Sequence, residues 1–249
     1  MIQFSNLSKS YHGVTVLTIP DLSLEDGQLV GLVGNNGAGK TTMMRLMLDL
    51  IQAGTGWVAI DGKRVDQDPA WKAFTGSYLD ATFLIDFYTP EEYFGFIGET
   101  YGIPAPELHI RLLRYEPLMN GEILGTGKLI HDFSNGNRQK IGIIGAMLVN
   151  PRILILDEPF NYLDPRSQIV VADLIRQMNR NLGATVLVSS HNLASISDIC
   201  NRILLLDKGS LLLDKPHTPG ERDAELDGWF LRNSQTSQRI SESKESAWA

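Results

Sequence analysis

The stretch of sequence that decides the fold is Gly34-Asn35-Asn36-Gly37-Ala38-Gly39-Lys40-Thr41-Thr42. It fits the spacing G-x-x-x-x-G-K-[ST], in which glycines let backbone N–H groups converge on phosphate oxygens. A strand predicted at Leu29–Val33 precedes this loop and a helix predicted at Met43–Leu50 follows it, so the helix N-terminus adds positive potential. Lys40 is predicted to lie beside the β- and γ-phosphates and Thr41 to ligate Mg²⁺. The alternative is a glycine turn that only caps a helix.

A second polar cluster follows another apolar strand, predicted at Ile153–Leu156. This strand ends in Asp157-Glu158-Pro159, and the carboxyl ends of parallel strands line the ligand crevice of such sheets. Asp157 is predicted to hold Mg²⁺, directly or through water, and Glu158 to polarise the attacking water as a general base. The alternative is a solvated pair of acids at the start of a loop.

Composition limits the class of protein. The chain has 249 residues, 22 Lys+Arg against 29 Asp+Glu, a formal charge of −7 and one cysteine. This length allows one large α/β domain or two small ones, and the acidic balance argues against nucleic-acid binding. The longest stretch without Asp, Glu, Lys or Arg, residues 181–197, is too short and too polar to span a membrane, and the start lacks a secretory signal. We therefore predict a cytoplasmic location.

The order of apolar runs predicts an α/β fold. Short β-branched runs alternate with helix-like stretches, which is typical of a mostly parallel sheet covered by helices. Further strands are predicted at Trp57–Ile60 and Thr185–Val188, and a hairpin at Ile203–Leu206 and Leu211–Leu213. Gly and Pro separate helices between about residues 75 and 150, which predicts a helical insert. We expect one domain over residues 1–233 and a flexible C-terminal tail over 234–249.

A third motif resembles the signature of ATP-binding cassette (ABC) proteins. It reads Phe133-Ser134-Asn135-Gly136-Asn137-Arg138-Gln139-Lys140 and precedes a helix predicted at Ile141–Val149. Ser134 at the N-cap and the N–H groups near Gly136 form another anion site. The resemblance implies a head-to-tail dimer in which Ser134 and Gly136 of one subunit close over the γ-phosphate held by Lys40 of the other. For Ser134 taken alone, the alternative is a plain N-cap.

Three further residues occupy positions that have roles in this family. His191 matches the switch histidine, which would hydrogen-bond the γ-phosphate and orient the water beside Glu158. Asp164 matches the D-loop aspartate expected to reach across the dimer, and Tyr11 the aromatic that stacks on adenine. The alternatives are a structural hydrogen bond for His191, helix capping for Asp164, and a surface or core role for Tyr11.

The sequence departs from the family pattern at two places. Asn135 and Asn137 replace the more usual Gly and Gln of the signature. Asp80 stands where transport cassettes usually carry a Gln that senses Mg²⁺ and water. Some exporter-type cassettes resemble this chain in having an acid there, and an Asp can reach the metal through water, so Asp80 joins Thr41 and Asp157 as a candidate metal ligand.

The resemblance covers about residues 2–215 and implies a P-loop NTPase core with an antiparallel β portion and a helical ABC subdomain. It also implies a function: the ATP- and Mg²⁺-dependent ATPase subunit of an ABC transporter, most like bacterial exporters. Such a subunit lies on the inner face of the membrane, binds a separate permease, and pairs as a homodimer or with a related cassette, without direct contact to nucleic acid. The alternative is a soluble ABC ATPase acting on ribosomes or nucleic acid; those usually have tandem cassettes or long coiled coils. A catalytically dead cassette would be expected to lose Lys40, Glu158 or His191.

An aromatic segment suggests where a partner docks. Eight aromatic residues lie between Tyr78 and Tyr101, and the only charged residues among them are acidic. We hypothesise a groove for a short cytoplasmic helix of the permease, lined by Phe83, Leu84, Phe87 and Tyr88. The alternative is that most of these aromatics form the core of the helical subdomain.

Overall fold

The computed structural model describes residues 1–229; the predicted tail and the last residues assigned to the domain lie outside that range. Within it, eleven strands form one sheet: β1 Ile2–Tyr11, β2 Val14–Ile19, β3 Leu22–Leu24, β4 Leu29–Val33, β5 Thr55–Ile60, β6 Lys63–Arg64, β7 Thr75–Tyr78, β8 Ile153–Leu156, β9 Thr185–Ser190, β10 Arg202–Asp207 and β11 Ser210–Pro216. The α-helices with both ends inside this range are α1 Lys40–Met47, α2 Pro90–Thr100, α3 Ala105–Leu113, α4 Glu116–Met119, α5 Asn135–Leu148, α6 Pro165–Leu182 and α7 Leu193–Ser197, and residues 224–229 are also helical.

The sheet has a parallel half and an antiparallel half. Its order is β6-β5-β1-β2-β11-β10-β4-β9-β8-β7, with β3 beside β1. The strands β10, β4, β9, β8 and β7 pair in parallel, whereas β1 pairs antiparallel with β2, β3 and β5. The predicted α/β fold with an antiparallel portion is therefore confirmed. The carboxyl ends of β4, β8 and β9 meet at one edge, where the candidate site lies.

Each face of the parallel half is covered by apolar residues, because successive side chains of a strand point to opposite faces. On β4, Val30 and Leu32 pack into a cluster with α1 and the antiparallel strands. Leu29 and Val33 face the opposite cluster, which contains residues of α5 and α6. Burial on both faces explains why the strand sequences read as continuous apolar runs.

Two helices start earlier than predicted, because their first turns consist of polar motif residues. The helix α1 begins at Lys40, directly after Gly39 at φ 106°. The helix α5 begins at Asn135, because the Ser134 hydroxyl accepts a hydrogen bond from the Asn137 N–H at 3.2 Å. Apolar periodicity alone cannot show such turns.

The helical insert is narrower than its predicted range. The first four residues of the predicted range form β7, which pairs with β8 in the sheet. The α-helices of this region are α2 to α5. No helix within residues 1–229 is long and apolar enough to cross a membrane.

Candidate nucleotide site

The loop between β4 and α1 forms an open pocket of about 330 Å³. A Cβ on Gly34 would lie 2.2 Å from the Leu206 carbonyl oxygen, so only glycine fits where the loop leaves the strand. The pocket is lined by Tyr11, Val16, Asn36, Gly37, Ala38, Gly39, Lys40, Thr41, Thr42 and Glu158. Most predicted nucleotide-binding residues of the loop thus share one cavity with the predicted base.

Lys40 is the positive charge of this pocket. Its side chain is 6% exposed, and Nζ donates to the Gly34 carbonyl at 2.7 Å. The same Nζ lies 3.1 Å from Glu158 Oε1. The pairing compensates the cost of burying an ammonium group.

Asp157, at the end of β8, is a buried carboxylate held by two hydroxyls. Thr41 donates to one of its oxygens and Ser189 to the other. Burial raises the pKa of Asp157, although both hydroxyl bonds act in the opposite direction. A hydroxyl and a carboxylate side by side are the hard oxygen donors that Mg²⁺ prefers, so Thr41 and Asp157 fit the predicted metal role.

Glu158 is placed by its backbone and by two side-chain partners. It has φ 47°, a conformation that is strained for a residue with a Cβ, and its N–H donates to Ser189 Oγ at 2.8 Å. Its Oε2 lies 2.9 Å from His191 Nδ1, while its Oε1 faces Lys40. Three predicted catalytic residues therefore meet at one carboxylate.

Sequence reasoning missed Ser189, which bridges the two acids. The signal for it was a pair of serines ending an apolar strand, just before His191. Polar side chains at the end of a fully buried strand need partners, and here the partners are Asp157 and the Glu158 backbone.

Comparison with known proteins identifies the family. The family model described as ABC transporter matches residues 17–161. The chain belongs to the ABC transporter family. It is 30% identical over 245 residues to "Uncharacterized ABC transporter ATP-binding protein YhcH" of Bacillus subtilis, covering 96% of this chain and 77% of YhcH. It is 29% identical over 224 residues to "Methionine import ATP-binding protein MetN" of Burkholderia thailandensis, covering 85% of this chain and 64% of MetN.

A solved ABC cassette supports the fold. The "Dimeric structure of a post-hydrolysis state of the ATP-binding cassette MJ0796 bound to ADP and Pi" matches with a TM-score of 0.77 and 24% identity, over 88% of this chain and 99% of that one. The family model and the match to YhcH confirm the resemblance to ABC ATP-binding subunits that the motifs predict, and the chain is an ABC ATP-binding subunit.

The signature residues of this ABC subunit do not line its own phosphate pocket. Ser134 is exposed and caps α5. Gly136 packs against the loop after β8, since a Cβ there would lie 2.7 Å from the Tyr162 carbonyl oxygen. Asp164 caps α6 by accepting from the Ser167 N–H at 3.0 Å; this capping is compatible with the predicted role across a dimer.

Two other predicted site residues, Tyr11 and Asp80, lie in different cavities. Tyr11 lines the pocket, with Lys9 Nζ 5.0 Å from its ring centroid. Asp80 lies in a second cavity of about 430 Å³ that Asp157 and Glu158 also line. There Asp80 accepts from the Thr82 N–H at 2.8 Å and lies 3.6 Å from Arg45, so its carboxylate already has partners.

Proposed function

We propose that this ABC subunit hydrolyses ATP with Glu158 as general base and thereby drives a separate membrane permease. The observation that carries the proposal is the meeting of Lys40 and His191 on the two oxygens of Glu158. A carboxylate oriented by a histidine and lying next to a lysine of the phosphate loop is well placed to position water for attack on a phosphoryl group.

The contacts suggest how the substrate activates the site. Phosphate oxygens entering the loop compete with Glu158 for Lys40, so that Oε1 becomes free to accept a proton from water. Thr41 and Asp157 would hold Mg²⁺, which neutralises charge on the transferred phosphoryl group. His191 retains Oε2 and keeps the carboxylate aimed at the pocket.

We also propose that two cassettes, either two copies or this chain with a related one, complete the site across an interface. Ser134 and its helix N-terminus are exposed and can meet a second subunit's phosphate loop. The MJ0796 cassette, which has the same fold, is a dimer bound to ADP and Pi, and this supports the arrangement. Asp164 would then combine capping of α6 with contact across the dimer.

For the direction of transport we propose export from the cytoplasmic face, with no direct nucleic-acid contact. Asp80 supports export through the exporter-type resemblance. MetN, named for methionine import, shows that similar cassettes also serve uptake. The neighbouring genes test this: a permease gene alone agrees with export, whereas an additional gene for an external substrate-binding protein contradicts it.

The enzymatic part is tested with Glu158→Gln, Lys40→Ala and the wild type. We expect Mg²⁺-dependent phosphate release by the wild type and a loss of about 100-fold or more in Glu158→Gln. Glu158→Gln should still bind ATP and run as a dimer in size-exclusion chromatography with light scattering, whereas Lys40→Ala should lose ATP-dependent dimerisation. Glu99→Gln, an exposed change on α2, is the matched control. Wild-type turnover in Glu158→Gln would contradict the base assignment.

A further inference from the structure

A buried glutamine connects the signature helix with the backbone of the proposed base. Gln139 lies in the second turn of α5, and its side chain is 6% exposed. Its Nε2 donates to the Glu158 carbonyl oxygen at 3.0 Å, and its Oε1 accepts from the Tyr78 hydroxyl at 3.0 Å. Both ends of a buried amide are therefore used.

The chemistry of the three groups defines which way the amide points. A backbone carbonyl only accepts, so the NH₂ of Gln139 must face Glu158. Its oxygen then needs a donor, and the Tyr78 hydroxyl supplies one. The chain of bonds thus runs in one direction, from Tyr78 through Gln139 to Glu158.

A glycine on the same helix holds the tyrosine in place. A Cβ on Gly142 would lie 2.0 Å from the Tyr78 ring, so the ring rests directly on the backbone of α5. Residues three apart on a helix share a face, and this places Gln139 beside the hydroxyl. Packing and hydrogen bonding therefore support the same arrangement independently.

The backbone at Glu158, which accepts the hydrogen bond from Gln139, has a strained conformation that its neighbours must hold. Glu158 has a left-handed backbone at φ 47°, and its carbonyl also accepts from the Asn161 N–H at 3.2 Å. Such conformations persist when the surroundings hold them. Ser189 holds the N–H side of Glu158, and Gln139 holds the carbonyl side.

We propose that Gln139 is a positioning residue for the base: it fixes the backbone of Glu158 and so ties the carboxylate to the helix that carries the exposed Ser134. This inference rests on the proposed ATPase function. It means that a movement of α5 alters the placement of the same subunit's Glu158. Tyr78 acts through Gln139 and has a smaller effect.

The kinetic test compares Gln139→Leu and Tyr78→Phe with Ile143→Val, a buried change farther along α5. We expect Gln139→Leu to lower kcat by about 10-fold or more, since small misplacements of a reacting group are costly, with an unchanged KM for ATP. In the Glu158→Gln background the same change should alter single-turnover hydrolysis by less than about 2-fold, because residues acting through one group are non-additive. An equal loss in both backgrounds, or no loss in the wild type, overturns the proposal.

A second measurement does not depend on turnover. Amide hydrogen exchange of nucleotide-free protein should be several-fold faster at Glu158 and Asn161 in Gln139→Leu than in the wild type or Ile143→Val. Unchanged exchange at these amides overturns the positioning role even if the protein hydrolyses no ATP. Absence of wild-type hydrolysis combined with faster exchange would refute the proposed function and leave the positioning role standing.

Discussion

At the scale of single residues, the two adjacent acids after β8 differ in burial and in hydrogen-bond partners. Asp157 is buried, accepts two hydroxyl bonds, and has a raised pKa because of burial. Glu158 is paired with Lys40 and His191 and lies at the pocket. Both acids lie beyond β8, which ends at Leu156, and Glu158 has a left-handed backbone at φ 47°. This difference agrees with the roles proposed for Asp157 in metal binding and for Glu158 as the base.

The raised pKa of Asp157 predicts a pH effect on stability. The unfolded chain releases this proton at about pH 3.9, whereas the folded chain holds it to higher pH. Between the unfolded pKa and the folded pKa, this group therefore makes folding less favourable as pH rises. Asp157→Asn should therefore gain stability relative to the nucleotide-free wild type on going from pH 4 toward neutrality, and lose the stabilisation by Mg²⁺ and ATP. Urea unfolding at several pH values measures both effects.

Asp164→Asn is the control with the opposite sign. The hydrogen bonds from Ser167 lower the pKa of Asp164, so its contribution to stability is present above the unfolded pKa and lost as pH falls through the folded one. This variant should lose stability relative to the wild type as pH rises toward the unfolded pKa of about 3.9, and the difference should change little from there to neutrality. A pH-independent difference for Asp157→Asn would contradict the desolvation argument.

At the scale of elements, close packing of α5 on β7 decides which glycines are replaceable. On α5, Gly142 touches the Tyr78 ring, and on β7, Gly76 has no space because a Cβ would lie 2.0 Å from the Ala146 carbonyl oxygen. Gly95 on α2, in contrast, has no atom within 4 Å of its Cβ position. Helical glycines in this protein therefore differ in environment although they look alike in sequence.

Replacing the two helical glycines by alanine should change stability in opposite directions. Gly142→Ala should destabilise by roughly 1–3 kcal/mol, because the added methyl overpacks the contact with Tyr78. Gly95→Ala should stabilise by about 0.5–1 kcal/mol, because alanine favours the helix. Chemical denaturation of both variants measures the two differences, and a stabilised Gly142→Ala would show that α5 and β7 are not tightly packed.

At the scale of the whole molecule, the segment between β7 and α2 presents an aromatic surface formed by Phe83 and Phe87, which are 50% and 71% exposed. Tyr88 lies edge-on to Phe87, with ring centroids 5.3 Å apart, and is partly buried. Leu84 is buried in the core, so its predicted place in the groove is wrong. The preceding 3₁₀ turn at Ala81–Phe83 directs Phe83 outward while Leu84 packs inward.

The exposed pair predicts the site of permease binding. Phe83→Asp with Phe87→Asp should retain ATP hydrolysis in solution, because neither residue lines the phosphate pocket, but should abolish co-purification with the membrane permease that we propose as the partner. Leu212→Asp is a matched control, since Leu212 is 53% exposed on β11. Retained association of the double variant would contradict this docking surface.

Many residues of the candidate site could be predicted from the sequence because they lie in short, contiguous motifs. The phosphate loop, Asp157-Glu158 and His191 each follow a strand. The end of the apolar run in the sequence shows where each strand ends and the polar residues begin. The exact starts of α1 and α5 were harder to predict, because polar caps rather than apolar periodicity define them.

The sequence by itself determined the residue types, their order along the chain and the strand after which each one comes, and these were enough for the fold class and the family. Only the tertiary structure decided which groups touch: Ser189 between two acids, Gln139 on the Glu158 carbonyl, Arg45 beside Asp80, and Leu84 in the core. The physical reason is that local periodicity encodes elements, whereas contacts between distant segments depend on strand order and on packing between layers.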